Sequence, residues 1–79
     1  MSDILIAAKE QRINDVAGYQ INITNYTMAI EHITALNDQD LFPFRDQLAD
    51  LLKSELLEQK KTQVMLSVIQ KQLEALNVL

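Results

Sequence analysis

The sequence has no cysteine and no tryptophan, and only one glycine, one proline and one histidine in 79 residues. Without cysteine there is no disulfide, and a lone histidine without thiols leaves no ligand set for a structural zinc. A chain this short buries too small a fraction of its surface to be stable without added support. With covalent and metal staples excluded, self-association is the remaining route. The lack of cysteine also fits a reducing compartment. One glycine and one proline are far too few turn residues for a many-stranded protein, so long helices are expected. With Gly18 as the only glycine, there is no glycine-rich phosphate loop.

Long hydrophobic runs are missing as well. The chain starts Met1-Ser2-Asp3-Ile4-Leu5-Ile6-Ala7-Ala8-Lys9, with no basic leader and a short apolar stretch that Lys9 ends, so no signal peptide is predicted. No apolar run approaches the ~20 residues of a membrane span. These features predict a soluble, cytoplasmic chain with no membrane partner. Apolar residues make up 48% of the sequence, and they fall at periodic positions, which points to a folded chain and not a disordered one.

The net charge is -4, an acidity that argues against duplex DNA or anionic lipid as the main partner. Much of it sits near the middle, where Asp38, Asp40, Asp46 and Asp50 face only Arg45. Carboxylates at a helix start complement the positive end of its dipole, and that accounts for the cluster.

The one group of turn and capping residues is Asn37-Asp38-Gln39-Asp40-Leu41-Phe42-Pro43, and Pro43 suits the first turn of a helix. It lies near the midpoint. The fold predicted is all-α: a single domain with a first helix over about residues 3–36, a turn over 37–43 and a second helix over about 44–77. Helices of roughly 30 residues and ~45 Å can lie side by side as a hairpin.

In the first half, Val16, Tyr19, Ile23, Tyr26, Ile30 and Ile33 step alternately by three and four, a heptad seam. A rival strand pattern exists, because Tyr19, Ile21 and Ile23 alternate with Gln20, Asn22 and Thr24, but no other segment offers a pairing strand. Ser2 can cap the helix at its start, and Asn14 and Asp15 could begin it later. Gly18 weakens the helix by ~1 kcal/mol relative to alanine, which suggests a bend or a close helix approach. In the second half, Leu48, Leu52, Leu66, Ile69, Leu73 and Leu76 share a seam that Glu55, Gln59 and Thr62 interrupt. Residues 58–63 contain good helix formers and no breaker, so they read as a solvated part of one continuous helix.

Both helices carry a surplus of apolar residues. Leu51, Leu56, Leu57, Val64, Met65 and Val68 widen the second face, and Ile21, Met28 and Ala35, spaced by seven, lie off the first seam. A second stripe needs a second neighbour. Two hairpins dimerising into a four-helix bundle or coiled-coil assembly would provide one. Candidate self-association residues are Val16, Tyr19, Ile21, Ile23, Tyr26, Met28, Ile30 and Ile33 with Leu66, Ile69, Leu73 and Leu76.

No chemistry stands out. His32 has Met28, Ala29, Ala35 and Leu36 as helical neighbours, with no carboxylate or second histidine on its face. Asp38, Gln39 and Asp40 lack the glycine and spacing of a calcium loop. Asp46 with Asp50, and Ser67 with Lys71, are four apart, a spacing that polar helices produce without catalysis. Lys53, Lys60 and Lys61 are diluted by Glu55 and Glu58 and have no aromatic between them for base stacking. Asn22 and Asn25 begin glycosylation triplets that a chain without a signal peptide would not use. No catalytic residue, metal or cofactor is predicted, and the chain is not read as an enzyme.

Both phenylalanines sit in Leu41-Phe42-Pro43-Phe44, at the turn. They either plug the end of the bundle or anchor a partner as a hot spot rimmed by Asp38, Asp40, Arg45 and Asp46. Val78 and Leu79, at the apolar end of the chain, form a second partner-binding candidate beside Leu41, Phe42 and Phe44. No family motif is present. The function expected is that of a homodimeric interaction module, a small regulator, adaptor or inhibitor in the style of a bacterial or phage protein, binding an unknown protein partner. The alternatives are a subunit of a helical filament and, less favoured because of the acidity, a helical nucleic-acid-binding regulator.

Overall fold

A computed structural model describes residues 2–76. Helix α1 spans Ser2–Leu36, a 3-10 turn spans Gln39–Leu41, and helix α2 spans Phe42–Ala75. The two long helices pack against each other as a helical hairpin, a rod with extents of 56 × 14 × 14 Å. The expected starts of the two helices, near residues 3 and 44, compare with Ser2 and Phe42, and the expected end of the second, about residue 77, lies outside the described residues. Helix α1 begins at Ser2 and not near residue 14, and Asp15 accepts a hydrogen bond from Gln11 one turn earlier (2.9 Å) inside the helix.

The strand alternative for Tyr19, Ile21 and Ile23 is not taken, because α1 runs unbroken through them. Periodicity explains the outcome: steps of three and four place the bulky residues of the seam against α2, whereas a strand would find no pairing edge. Polar β-branched residues are accommodated locally. The Thr27 hydroxyl donates to the Ile23 carbonyl (2.7 Å) and the Thr34 hydroxyl to the Ile30 carbonyl (2.8 Å).

The reversal is built from backbone chemistry. Asn37 lies in the left-handed region with φ 52°, and its N–H donates to the carbonyls of Ile33 and Thr34 at 3.3 Å, closing the last turn of α1. The Asp38 carboxylate accepts from the Asp40 N–H (3.0 Å) and caps the 3-10 turn. Pro43 then falls in the first turn of α2, where no donor is lost. Asparagine tolerates a positive φ and a β-branched residue does not, so Asn37→Val is expected to destabilise the hairpin by about 1–2 kcal/mol. Thermal unfolding followed by circular dichroism measures the loss, and an unchanged melting temperature would show that the turn does not depend on this conformation.

The helices meet along the predicted seams. Ile33, Leu48, Ile69 and Leu73 are buried, while Val16, Tyr19, Ile23, Tyr26, Ile30, Leu52 and Leu66 are half-buried. The middle of the contact is polar. Gln59 Nε2 donates to the Val16 carbonyl (3.3 Å) and to Gln20 Oε1 (3.2 Å), and Asn22 Nδ2 donates to Glu55 Oε2 (3.3 Å). Thr62 is buried beside them. Residues 58–63 therefore do continue one helix, but the reading of that stretch as solvated fails at Gln59 and Thr62. Helical geometry puts both on the face they share with Leu52 and Leu66. These cross-helix bonds also favour one antiparallel register, since sliding one helix along the other would separate the partners.

Gly18 differs from its expectation in a useful way. A Cβ built there meets nothing within 4 Å, so the close approach suggested by the glycine is not made by α2.

Candidate interaction surfaces

The side chains considered for chemistry are placed in ordinary helical roles. His32 is exposed on α1. The Asp38 carboxylate is engaged as a cap, and Asp46 lies 3.7 Å from Arg45 in an exposed ion pair of little energetic weight. The Ser67 hydroxyl donates to the Gln63 carbonyl (3.1 Å) within its own helix and is not directed at Lys71. Lys61 pairs with Glu58 at 3.0 Å. Among the described residues no three histidine, aspartate or glutamate side chains come together as a metal site. Nor is any helix among the described residues long and apolar enough to cross a membrane.

What the hairpin does present is apolar surface. Against four buried apolar residues, fourteen large apolar side chains among the described residues are exposed. The candidate self-association residues split in two. Val16, Tyr19, Ile23, Tyr26, Ile30, Ile33, Leu66, Ile69 and Leu73 lie along the seam between α1 and α2, so contact within the chain occupies them. Ile21 and Met28 lie on the opposite side of α1, each 62% exposed, and Leu76 is exposed just past the end of α2.

The turn residues divide as well. Phe42 is half-buried at the start of α2, with the Arg45 guanidinium 4.2 Å from its ring centroid, and Leu41 is half-buried next to it. Phe44 is 50% exposed. Two residues along a helix is a rotation of ~200°, so one ring turns toward the bundle end and the other away from it. Of the two, Phe44 has the exposure that a partner anchor needs. Val78 and Leu79 lie outside the described residues; at that end, Leu76 borders a shallow hollow shared with Leu5, Gln72 and Ala75.

The stripe of Ile21 and Met28 belongs to a wider surface that spacing by seven shows only in part. Between Asp15 and Glu31 there is no charged residue on any face of α1, over four helical turns, and the outer side of this stretch is exposed. The signal is a gap in charge. Asparagine, glutamine and threonine fill it, so it does not register as an apolar block.

Compared with known proteins, the chain matches no family model, no curated protein and no solved structure. The class that the fold itself defines is a two-helix antiparallel hairpin with apolar faces that its own chain does not cover.

Proposed function

We propose that this protein is a non-enzymatic protein–protein interaction module that acts as a homodimer of hairpins, a small regulator, adaptor or inhibitor whose dimer displays Phe44 to a further protein. The observation that carries this reading is the imbalance between four buried and fourteen exposed apolar side chains. Area makes the same point. The accessible surface is 5756 Å², while a compact 9.0 kDa monomer exposes about 4,900 Å². The excess, roughly 900 Å², is close to the ~800 Å² that each partner covers in an interface of standard size. The radius of gyration, 17.6 Å against about 12 Å for a compact chain of this length, traces the excess to the rod shape. A rod of two helices has one internal contact, and its outer faces need a second body.

The test is the mass in solution across a range of concentrations, by light scattering after size exclusion or by sedimentation. A stable dimer of twice 9.0 kDa is expected. A well-folded monomer up to high concentration would overturn self-association and reserve the apolar faces for a different protein. Oligomers that keep growing with concentration would favour the filament subunit, whose apolar faces join head to tail without closing.

A further inference from the structure

Resting on the homodimer reading, we propose that two copies meet through the outer face of α1, antiparallel, with the two-fold axis passing between Gly18 and Ile21. Two observations point to this face, and helix geometry permits it to pair with itself. The first is Gly18 itself. A glycine in the middle of a long helix weakens it, and here no neighbour in the chain requires one, since the space above it is empty. A shallow hollow beside it is lined by Asn14, Asp15, Gly18, Tyr19, Ile21 and Asn22. Close approach of another backbone or a bulky side chain is the use that such a position has.

The second observation is charge. From Ile4 to Ala35, the exposed positions opposite α2, taken at alternating steps of three and four, include no aspartate, glutamate, lysine or arginine. An acidic chain of net charge -4 that binds itself has to avoid bringing like charges together, and the core of an interface is depleted of charge. On α2 the outer apolar residues Leu57, Val64 and Val68 are interleaved with Asp50, Lys61 and Lys71. Contact through this stripe of α1 therefore places an uncharged face inside and leaves the charge-bearing outer face of α2 in water.

Helix geometry permits the pairing: alternating steps of three and four read the same in either direction on any stripe of this kind, so this one can be reversed onto itself over its whole length. In the full-length register Gly18 faces the partner's Ile21, a gap opposite a bulky side chain, and Asn14 faces the partner's Asn25, two amides that can each donate and accept. The contact is isologous and closes after two copies. Because the face lies opposite α2, the four helices form a row with both α1 helices central, and not the square arrangement of a conventional bundle.

The absence of cysteine makes the test clean. Spin labels on single cysteines in the full chain, at Ala17→Cys and separately at Glu31→Cys, both exposed and beside the stripe, report the distance between copies by pulsed electron resonance. At 1.5 Å per residue the proposed register offsets the two labels at position 17 by about 8 Å along the axis and those at position 31 by about 35 Å. A short distance at 17 together with a long one at 31 is the expected result. Short distances at both would mean a parallel pair, and long distances at both a different face; either overturns the proposal while leaving the homodimer intact. A monomer at every concentration would bring down the homodimer reading itself. In parallel, Gly18→Leu is expected to weaken dimerisation at least about tenfold with helix content unchanged, because overpacking acts only where a partner sits. Undiminished dimerisation of that variant would also overturn the proposal.

Discussion

Leu73→Ala is expected to cost about 3 kcal/mol of folding stability, the largest loss from any single truncation among the described residues. Leu73 is only 1% exposed, the most completely enclosed side chain among the described residues. Truncating a buried leucine removes its transfer free energy and leaves a cavity that a rigid surround does not refill, a cost of about 2–5 kcal/mol. Two features set the size within that range. Only Ile33, Leu48 and Ile69 accompany Leu73 as buried apolar residues, so little else holds the helices together. Leu73 also lies near the open end of the hairpin, where α1 begins and α2 ends and no turn assists the pairing. A chain of this length has about 4–12 kcal/mol of total stability, so the loss is a large share of it. Urea unfolding followed by circular dichroism measures the effect, with Val64→Ala as the control. Val64 is 62% exposed, and its truncation in the monomer is expected to stay within about 0.5 kcal/mol. If Leu73→Ala cost no more than the control, the open end of the hairpin would not be packed as described.

The same residue shows what was legible in the sequence and why. Leu73 belongs to a seam with Leu66 and Ile69, and steps of three and four in apolar residues state a helix face directly. The turn was legible for an equally local reason: Asn37, Asp38 and Pro43 each carry their own backbone chemistry, and the structure uses all three where the sequence places them. The polar middle of the contact was not legible. Gln59 and Glu55 look like interruptions until the register across the hairpin is known, because their partners, the Val16 carbonyl with Gln20 and Asn22, lie more than thirty residues away in the chain. A half-buried glutamine has no hydropathy signal; its place on the contact face follows only from the periodicity of the residues around it. The candidate site divides along the same line. Spacing by seven marked Ile21 and Met28 as a second stripe, and the structure leaves both exposed on the far side of α1. The separation of Phe42 from Phe44 depended on where α2 starts, since the helix phase decides which ring faces inward.

If the outer face of α1 is the dimer interface, Ile21→Glu combined with Met28→Glu is expected to weaken dimerisation at least 100-fold while the hairpin stays folded. Both side chains are 62% exposed in the single chain, so a carboxylate at either position remains hydrated in the monomer and costs little there. Burial changes the balance. A charge held in an interface without a partner costs several kcal/mol, and about 3 kcal/mol already corresponds to roughly 150-fold in the dissociation constant. Two-fold symmetry doubles the number of carboxylates, placing four at one contact in a chain that is already acidic. Val64→Glu with Val68→Glu on the outer face of α2 is the matched comparison, because Val64 has the same exposure as Ile21. Sedimentation of the two double variants then separates the cases: loss of the dimer in the α1 pair alone places the contact there, and loss in the α2 pair alone moves it to the other helix. Retention of the dimer in both would remove these two outer faces as its interface and leave the stripe between Asp15 and Glu31 to be covered by a different protein.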